Sequence, residues 1–176
     1  LPEKDLDGEP RIQGSTVDMG AYEGGEVLPH YFVNHAAGPD GDGTSWENAF
    51  QRLEDALAAS SVSEIWVAGG STYTSAFNIR SGIQVYGGFS GDETTLERDW
   101  SENKTTLTNP SGTVVKFENV SEGTILDGFI ITGGNAVTRE SGGGIYIMNG
   151  SPQITNCTIV GNTAAQNVSS GEGGGI

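Results

Sequence analysis

Groups able to do acid–base chemistry are unevenly spread along this chain of 176 residues. Cleaving a glycosidic bond takes two carboxylates on one cleft face, about 5 Å or about 6.5–9.5 Å apart. A lyase takes a base, with a cation or metal to hold the uronate carboxylate. From Thr113 to Ile176 the acids are Glu118, Glu122, Asp127, Glu140 and Glu172, and most stand beside turns. Asp127 alone lies inside an apolar run, "TILDGFIIT", and is the best catalytic candidate. That stretch holds no second aspartate, no basic cluster and no histidine, since His30 and His35 both come early. The expectation is that the chain is not an enzyme and has no catalytic residue. Polysaccharide lyase or glycoside hydrolase activity is the alternative that a strand-rich fold keeps open.

Other reactive groups lead to the same place. Cys157, the single cysteine, sits in an apolar alternation and reads as a small core residue. "GPDGDGTS" offers Asp40 and Asp42 with glycines, and "DLDG" offers Asp5 and Asp7, alternating acids of the kind calcium loops use, but neither has the ligand number or closing glutamate of such a loop. Solvated turns are the expectation there, with no cofactor or metal assigned and calcium left as the one open possibility. Asn103, Asn119, Asn149, Asn156 and Asn167 each open an Asn-x-Ser/Thr sequon, read as a product of an Asn-, Ser- and Thr-rich composition. Tyr22, Tyr31, Tyr73, Tyr86, Tyr146, Trp46, Trp66 and Trp100 are scattered along the sequence, so core and cap packing is expected for most of them rather than a sugar-stacking face.

Composition limits what must position these groups. Glycine supplies 28 residues, so with only six prolines and no Gly-X-Y period it must serve turns or close packing. A net charge of −15 argues against nucleic acid or an anionic membrane as partner and for a solvated acidic surface. No apolar run approaches the roughly 18 residues of a membrane span. The opening "LPEKDLDGEP" is unlike a signal peptide and lacks a methionine, so the chain is expected to be a processed product or a fragment.

One stretch has helical periodicity. Trp46, Ala49, Phe50, Leu53, Ala56 and Leu57 form one apolar stripe, and Thr44 with Glu47 fits a capping box, predicting a helix over about 46–60. A short entry strand is expected at 30–34 and, from about residue 64, a series of short β-branched strands bounded by Gly, Asn and Ser. The decisive pattern is a repeat. "TILDGFIITGGNA" (Thr124 to Ala136) aligns without a gap on "PQITNCTIVGNTA" (Pro152 to Ala164), which pairs Leu126 with Ile154, Phe129 with Cys157 and Ile131 with Ile159. "GGGI" at Gly142 to Ile145 recurs at Gly173 to Ile176. A helix-free repeat this short cannot bury its apolar face alone and must stack on the next copy. The predicted fold is all-β, a parallel β-helix (solenoid) with glycines, Asn149, Asn156 and Asn162 at its corners and one amphipathic N-terminal capping helix.

Several stretches resemble one family: the right-handed parallel β-helix repeat surface proteins of bacteria, similar in pattern to the polymorphic outer-membrane proteins of chlamydiae. "YFVNHAAGPDGDGTSWENAFQRLEDALAA" is similar to its entry segment and capping helix, and "EIWVAGGSTYT" and "SGIQVYGGFSGDETTLERDW" to its first rungs. "LDGFIITGGNA" and "SGGGIYIMNGSPQITNCTIVGNTA" match its Gly-Gly-x-Ile and small-x-x-Asn rungs, although Ile159 stands where the family often has phenylalanine. "DLDGEPRIQGSTVDMGAYE" resembles the terminal motif of such units. The resemblance divides the chain into residues 1–29, the end of a preceding unit with its linker or a docking segment, and residues 30–176, a β-helix domain interrupted mid-repeat.

The function so implied is a non-enzymatic extracellular structural or adhesive module of a cell-surface repeat protein or filament, assembling head-to-tail. Its partners would be neighbouring copies, adjacent repeats or surface glycans. The alternative is a carbohydrate-binding or polysaccharide-degrading β-helix protein.

Overall fold

The computed structural model describes residues 12–13, 16–17, 30–59, 63–136 and 142–164. The expectations for Asp5, Asp7, Tyr22, Asn167 and the final "GGGI" lie outside the described residues. Near the start, β1 (Ile12–Gln13) and β2 (Thr16–Val17) form an antiparallel pair.

From Tyr31 onward the described chain is mostly strand, with one short helix, and its ladders are parallel. An entry strand, β3 (Tyr31–Val33), leads to α1 (Leu53–Ala58). The chain then makes four passes. The first is β4 (Glu64–Ala68), β5 (Thr72–Thr74) and β6 (Phe77–Ile79); the second is β7 (Gln84–Phe89), β8 (Thr105–Thr108) and β9 (Val115–Glu118). The third is β10 (Ile125–Asp127), β11 (Phe129–Thr132), β12 (Asn135–Ala136) and β13 (Ile145–Met148); the fourth is β14 (Gln153–Thr155), β15 (Thr158–Ile159) and β16 (Thr163–Ala164).

Each sheet takes one strand from successive passes. Sheet one has the order β14-β10-β7-β4-β3, sheet two β15-β11-β8-β5 and sheet three β13-β9-β6, while β12 pairs with β16. The register reproduces the sequence repeat: Leu126 lies opposite Ile154, Ile131 opposite Ile159 and Ala136 opposite Ala164.

Alternation sends every second side chain inward, so identical positions of successive passes stack as apolar rows. Ile65, Val85 and Leu126 form the row of sheet one, Tyr73, Leu107 and Ile131 that of sheet two, and Phe77, Val115 and Ile145 that of sheet three; all are buried. Corners need backbone that turns without a side-chain clash. Gly128 and Asn156, at equivalent positions of two passes, have φ of 82° and 52°, and Asn119 and Asn149 have φ of 55° and 53°. Asparagine tolerates this left-handed region better than most residues. Asn162 serves its corner differently, accepting from Gly134 N at 2.8 Å and donating through Nδ2 to Ile131 O at 2.9 Å. Close approach accounts for "SGGGI": a Cβ at Gly134 would lie 1.9 Å from Gly143 O, and one at Gly143 2.2 Å from Thr163 O.

The helix is shorter than its periodicity predicts. It spans only Leu53–Ala58 and its N-cap, Arg52, makes no side-chain capping bond. Thr44 does not cap a helix, because Asp42 Oδ1 accepts from both its N–H at 3.0 Å and its Oγ1 at 2.6 Å. Ser45 Oγ accepts from Asn48 N at 3.1 Å, and Phe50 makes a parallel bridge to Val33. Local side-chain bonds and strand pairing thus win over helix in the first half of the stripe. What remains buries Leu53, Ala56 and Leu57 and packs against β3 and β6, the terminal strands of sheets one and three.

Candidate functional site

Asp127 ends β10 on sheet one, with Tyr86 and Thr155 as its register partners on either side. Its carboxylate is not free. Oδ1 pairs with the Arg98 guanidinium, and the two side chains are only 11% and 9% exposed. Oδ2 accepts from Thr155 Oγ1 at 2.5 Å and from Asn156 Nδ2 at 2.9 Å. Arg98 is held in turn: its Nε donates to Gly87 O at 2.6 Å, and its guanidinium lies 5.0 Å from the Tyr86 ring centre and 5.5 Å from that of Phe89. The sequence showed no basic cluster near Asp127, and the single cation that meets it comes from outside the repeat, because the long connection from β7 to β8 brings Arg98 back across sheet one. A carboxylate with both oxygens engaged ties the β7–β8 connection and the fourth pass to sheet one.

Above it on the same face stands an aromatic group that the scattered sequence positions did not announce. Trp66 is stacked between His30 at 3.8 Å and Phe89 at 4.7 Å, and Phe32 and Trp46 close the group at 4.7 Å from each other. Register explains the meeting, since Phe32, Trp66 and Tyr86 are successive partners on the outer face of sheet one. Trp66 and Phe89 are buried, so this group is a second apolar layer and not a sugar platform. Burial lowers the His30 pKa, against a smaller opposing effect of Glu64.

The covering segment runs from Ser90 to Lys104. Glu93 Oε1 accepts from Ser90 N at 2.5 Å and Oε2 from Gly91 N at 2.9 Å, while Trp46 Nε1 donates to Glu93 O at 2.9 Å. Burial acts to raise the Glu93 pKa, but these backbone donors outweigh it and the carboxyl is held below its usual range. Trp100, on the same segment, is 43% exposed beside a cleft of about 290 Å³.

Cys157 is half-buried in the inward row, and burial pushes its thiol pKa up, away from nucleophile chemistry. Asp42 is bonded to Thr44, whose hydroxyl holds its pKa low, and among the described residues no group of three or more His, Cys, Asp or Glu side chains comes together. His35 borders a groove of about 390 Å³ with Arg52, Glu54 and Tyr73, where Arg52 pairs with Glu54 at 2.5 Å. There the Tyr73 hydroxyl accepts from His35 N and donates to Ala68 O, each at 3.2 Å. Among the sequons, Asn119, Asn149 and Asn156 are exposed and Asn103 is half-buried. Among the described residues no helix is long and apolar enough to cross a membrane.

Comparison of the chain with models of protein families, with curated proteins and with solved structures gives no match.

Proposed function

We propose that the chain is a non-enzymatic structural or adhesive module: a right-handed parallel β-helix, capped at its first pass by α1, from an extracellular or cell-surface repeat protein or filament. The observation that carries the reading is the register, in which successive passes pair strand on strand in parallel and place corner residues of the same kind above one another. Such a stack is stabilised by nearest-neighbour ladders and apolar rows, which suits a rod-like structural role. The engagement of Asp127 by Arg98, Thr155 and Asn156 supports the non-enzymatic part. The resemblance to bacterial β-helix surface repeats supports the location, and a net charge of −15 suits a solvated rod.

Partners of such a rod are adjacent repeats or neighbouring copies of the unit. Ile154 and Ile159, half-buried on the inward side of the fourth pass, are the positions on which a further layer would stack. The reading predicts concentration-dependent, head-to-tail association that a chain lacking Leu1–Gly25 loses, measured by sedimentation velocity. Association unchanged by the deletion would remove that segment's role. Incubation with neutral and acidic polysaccharides should release no reducing ends and no unsaturated uronate; either product would overturn the non-enzymatic reading.

A further inference from the structure

Trp100 is exposed by construction. Its main chain is seated on two glycines where the chain passes from sheet one to sheet two: a Cβ at Gly88 would lie 2.4 Å from Trp100 Cα, and one at Gly128 3.2 Å from its Cβ. Both glycines have left-handed φ, 93° and 82°, which side-chain-bearing residues adopt only at a cost. The turn is tied by Asp99, whose Oδ1 accepts from Ser101 Oγ at 2.6 Å, Ser101 N at 3.0 Å and Glu102 N at 3.2 Å. These contacts fix the backbone, while Trp100 as a residue is 43% exposed.

Beside it, Ile130 and Thr158 of sheet two are lined up with Ser101, Lys104 and Asn156 around the cleft of about 290 Å³. That volume is at the lower end of ligand pockets, which run from about 300 Å³ upward. Asn156 is preset, because its Nδ2 is bonded to Asp127. The outward row that contains Ile130 and Thr158 continues through Thr106 and Thr72 without a charged residue, on a chain of net charge −15.

We propose that this cleft is a binding site for a neutral hexopyranose unit. A pyranose ring has an apolar C–H face that suits an exposed indole, and its hydroxyls suit an edge of hydroxyl, amide and ammonium groups. An anionic sugar fits poorly, since Lys104 is the one cation lining the cleft and Asp99 and Glu102 lie in the same turn. The backbone that carries the indole is already locked, which lowers the ordering cost on binding. The site goes beyond the structural reading above and stands on local geometry, so either can fail alone.

The test is affinity electrophoresis of the full chain in gels containing dextran, mannan, xyloglucan or mixed-linkage β-glucan, with alginate and pectate as anionic polymers. At least one neutral polymer should retard the protein equally at low and high salt. Trp100→Ala should weaken that binding by about tenfold or more, as loss of an aromatic anchor does, while keeping the melting temperature; Trp100→Phe should retain part of it. Absence of retardation by every neutral polymer, equal retardation of Trp100→Ala, or retardation by the anionic polymers alone would overturn the proposal.

Discussion

Breaking the Arg98–Asp127 pair tests how the β7–β8 connection is held. Both side chains are about nine-tenths buried, so the pair belongs with buried rather than surface ion pairs. Removing one partner of such a pair typically costs about 3–5 kcal/mol, because the other charge is left without compensation. Asp127 would keep two donors, Thr155 Oγ1 and Asn156 Nδ2, which places Arg98→Ala near the lower limit, at about 3 kcal/mol. For a chain of this size each kcal/mol moves the melting temperature by about 2–4 °C, so a fall of about 6–12 °C is expected. The assay is urea unfolding of wild type, Arg98→Ala, Asp127→Ala and the double variant, read as a double-mutant cycle. Coupling of about 2 kcal/mol is predicted, hardly changed by added salt. Coupling below about 0.5 kcal/mol, the range of an exposed pair, would mean that the pair does not hold the connection.

Three further outcomes follow from the packing and the corners. Phe117 is fully buried in the inward row of sheet three, and Phe117→Ala should lower stability by about 3–5 kcal/mol in the same urea assay. Asn149→Val puts a β-branched side chain at φ 53° and should cost about 1–2 kcal/mol, whereas Asn149→Gly should be neutral or slightly stabilising; equal midpoints for the two variants would contradict a stacked left-handed corner. Burial pushes the Tyr73 phenol up to about 12 from an ordinary 10. Because the folded value is the raised one, its contribution to stability is complete below pH 10 and is lost as pH rises through 12. In ultraviolet titration the Tyr73 phenol should therefore ionise late, and a phenol titration already complete near pH 10 would contradict its burial.

Much of the architecture was legible because stacking leaves a trace in sequence. An ungapped match of Leu126, Phe129 and Ile131 to Ile154, Cys157 and Ile159 is what parallel pairing in register requires, and the strands adopt that register. Left-handed φ at Asn149 and Asn156 was readable for the same reason, as asparagine beside short apolar runs marks a corner. The helix was overextended because a stripe of apolar residues says which side chains are buried and not which backbone carries them. Ala49 and Leu53 are both buried, yet Ala49 precedes the helix, in a segment held by Asp42, Ser45 and the Phe50 bridge. The partner of Asp127 was hidden for another reason. Arg98 lies in a connection outside the repeat, so no periodicity places it, and its role emerges only when sheet one sets Tyr86 beside Asp127. Register also gathers Phe32, Trp66 and Tyr86, which lie far apart along the chain. Trp100 was visible as an aromatic, but its exposure depends on Gly88 and Gly128, which come from different passes.

Cysteine cross-linking across sheet two tests whether successive passes stack in parallel and in register. In a Cys157→Ser background, Thr106→Cys with Ile130→Cys, and Ile130→Cys with Thr158→Cys, place thiols on register partners one strand apart. At a spacing of about 4.8 Å such pairs are within disulfide reach, whereas Thr106→Cys with Thr158→Cys, about 9.6 Å apart, is not. Mild oxidation followed by thiol counting should show cross-linking in the first two pairs and free thiols in the third. Free thiols in the adjacent pairs, or a cross-link between positions 106 and 158, would contradict the stack.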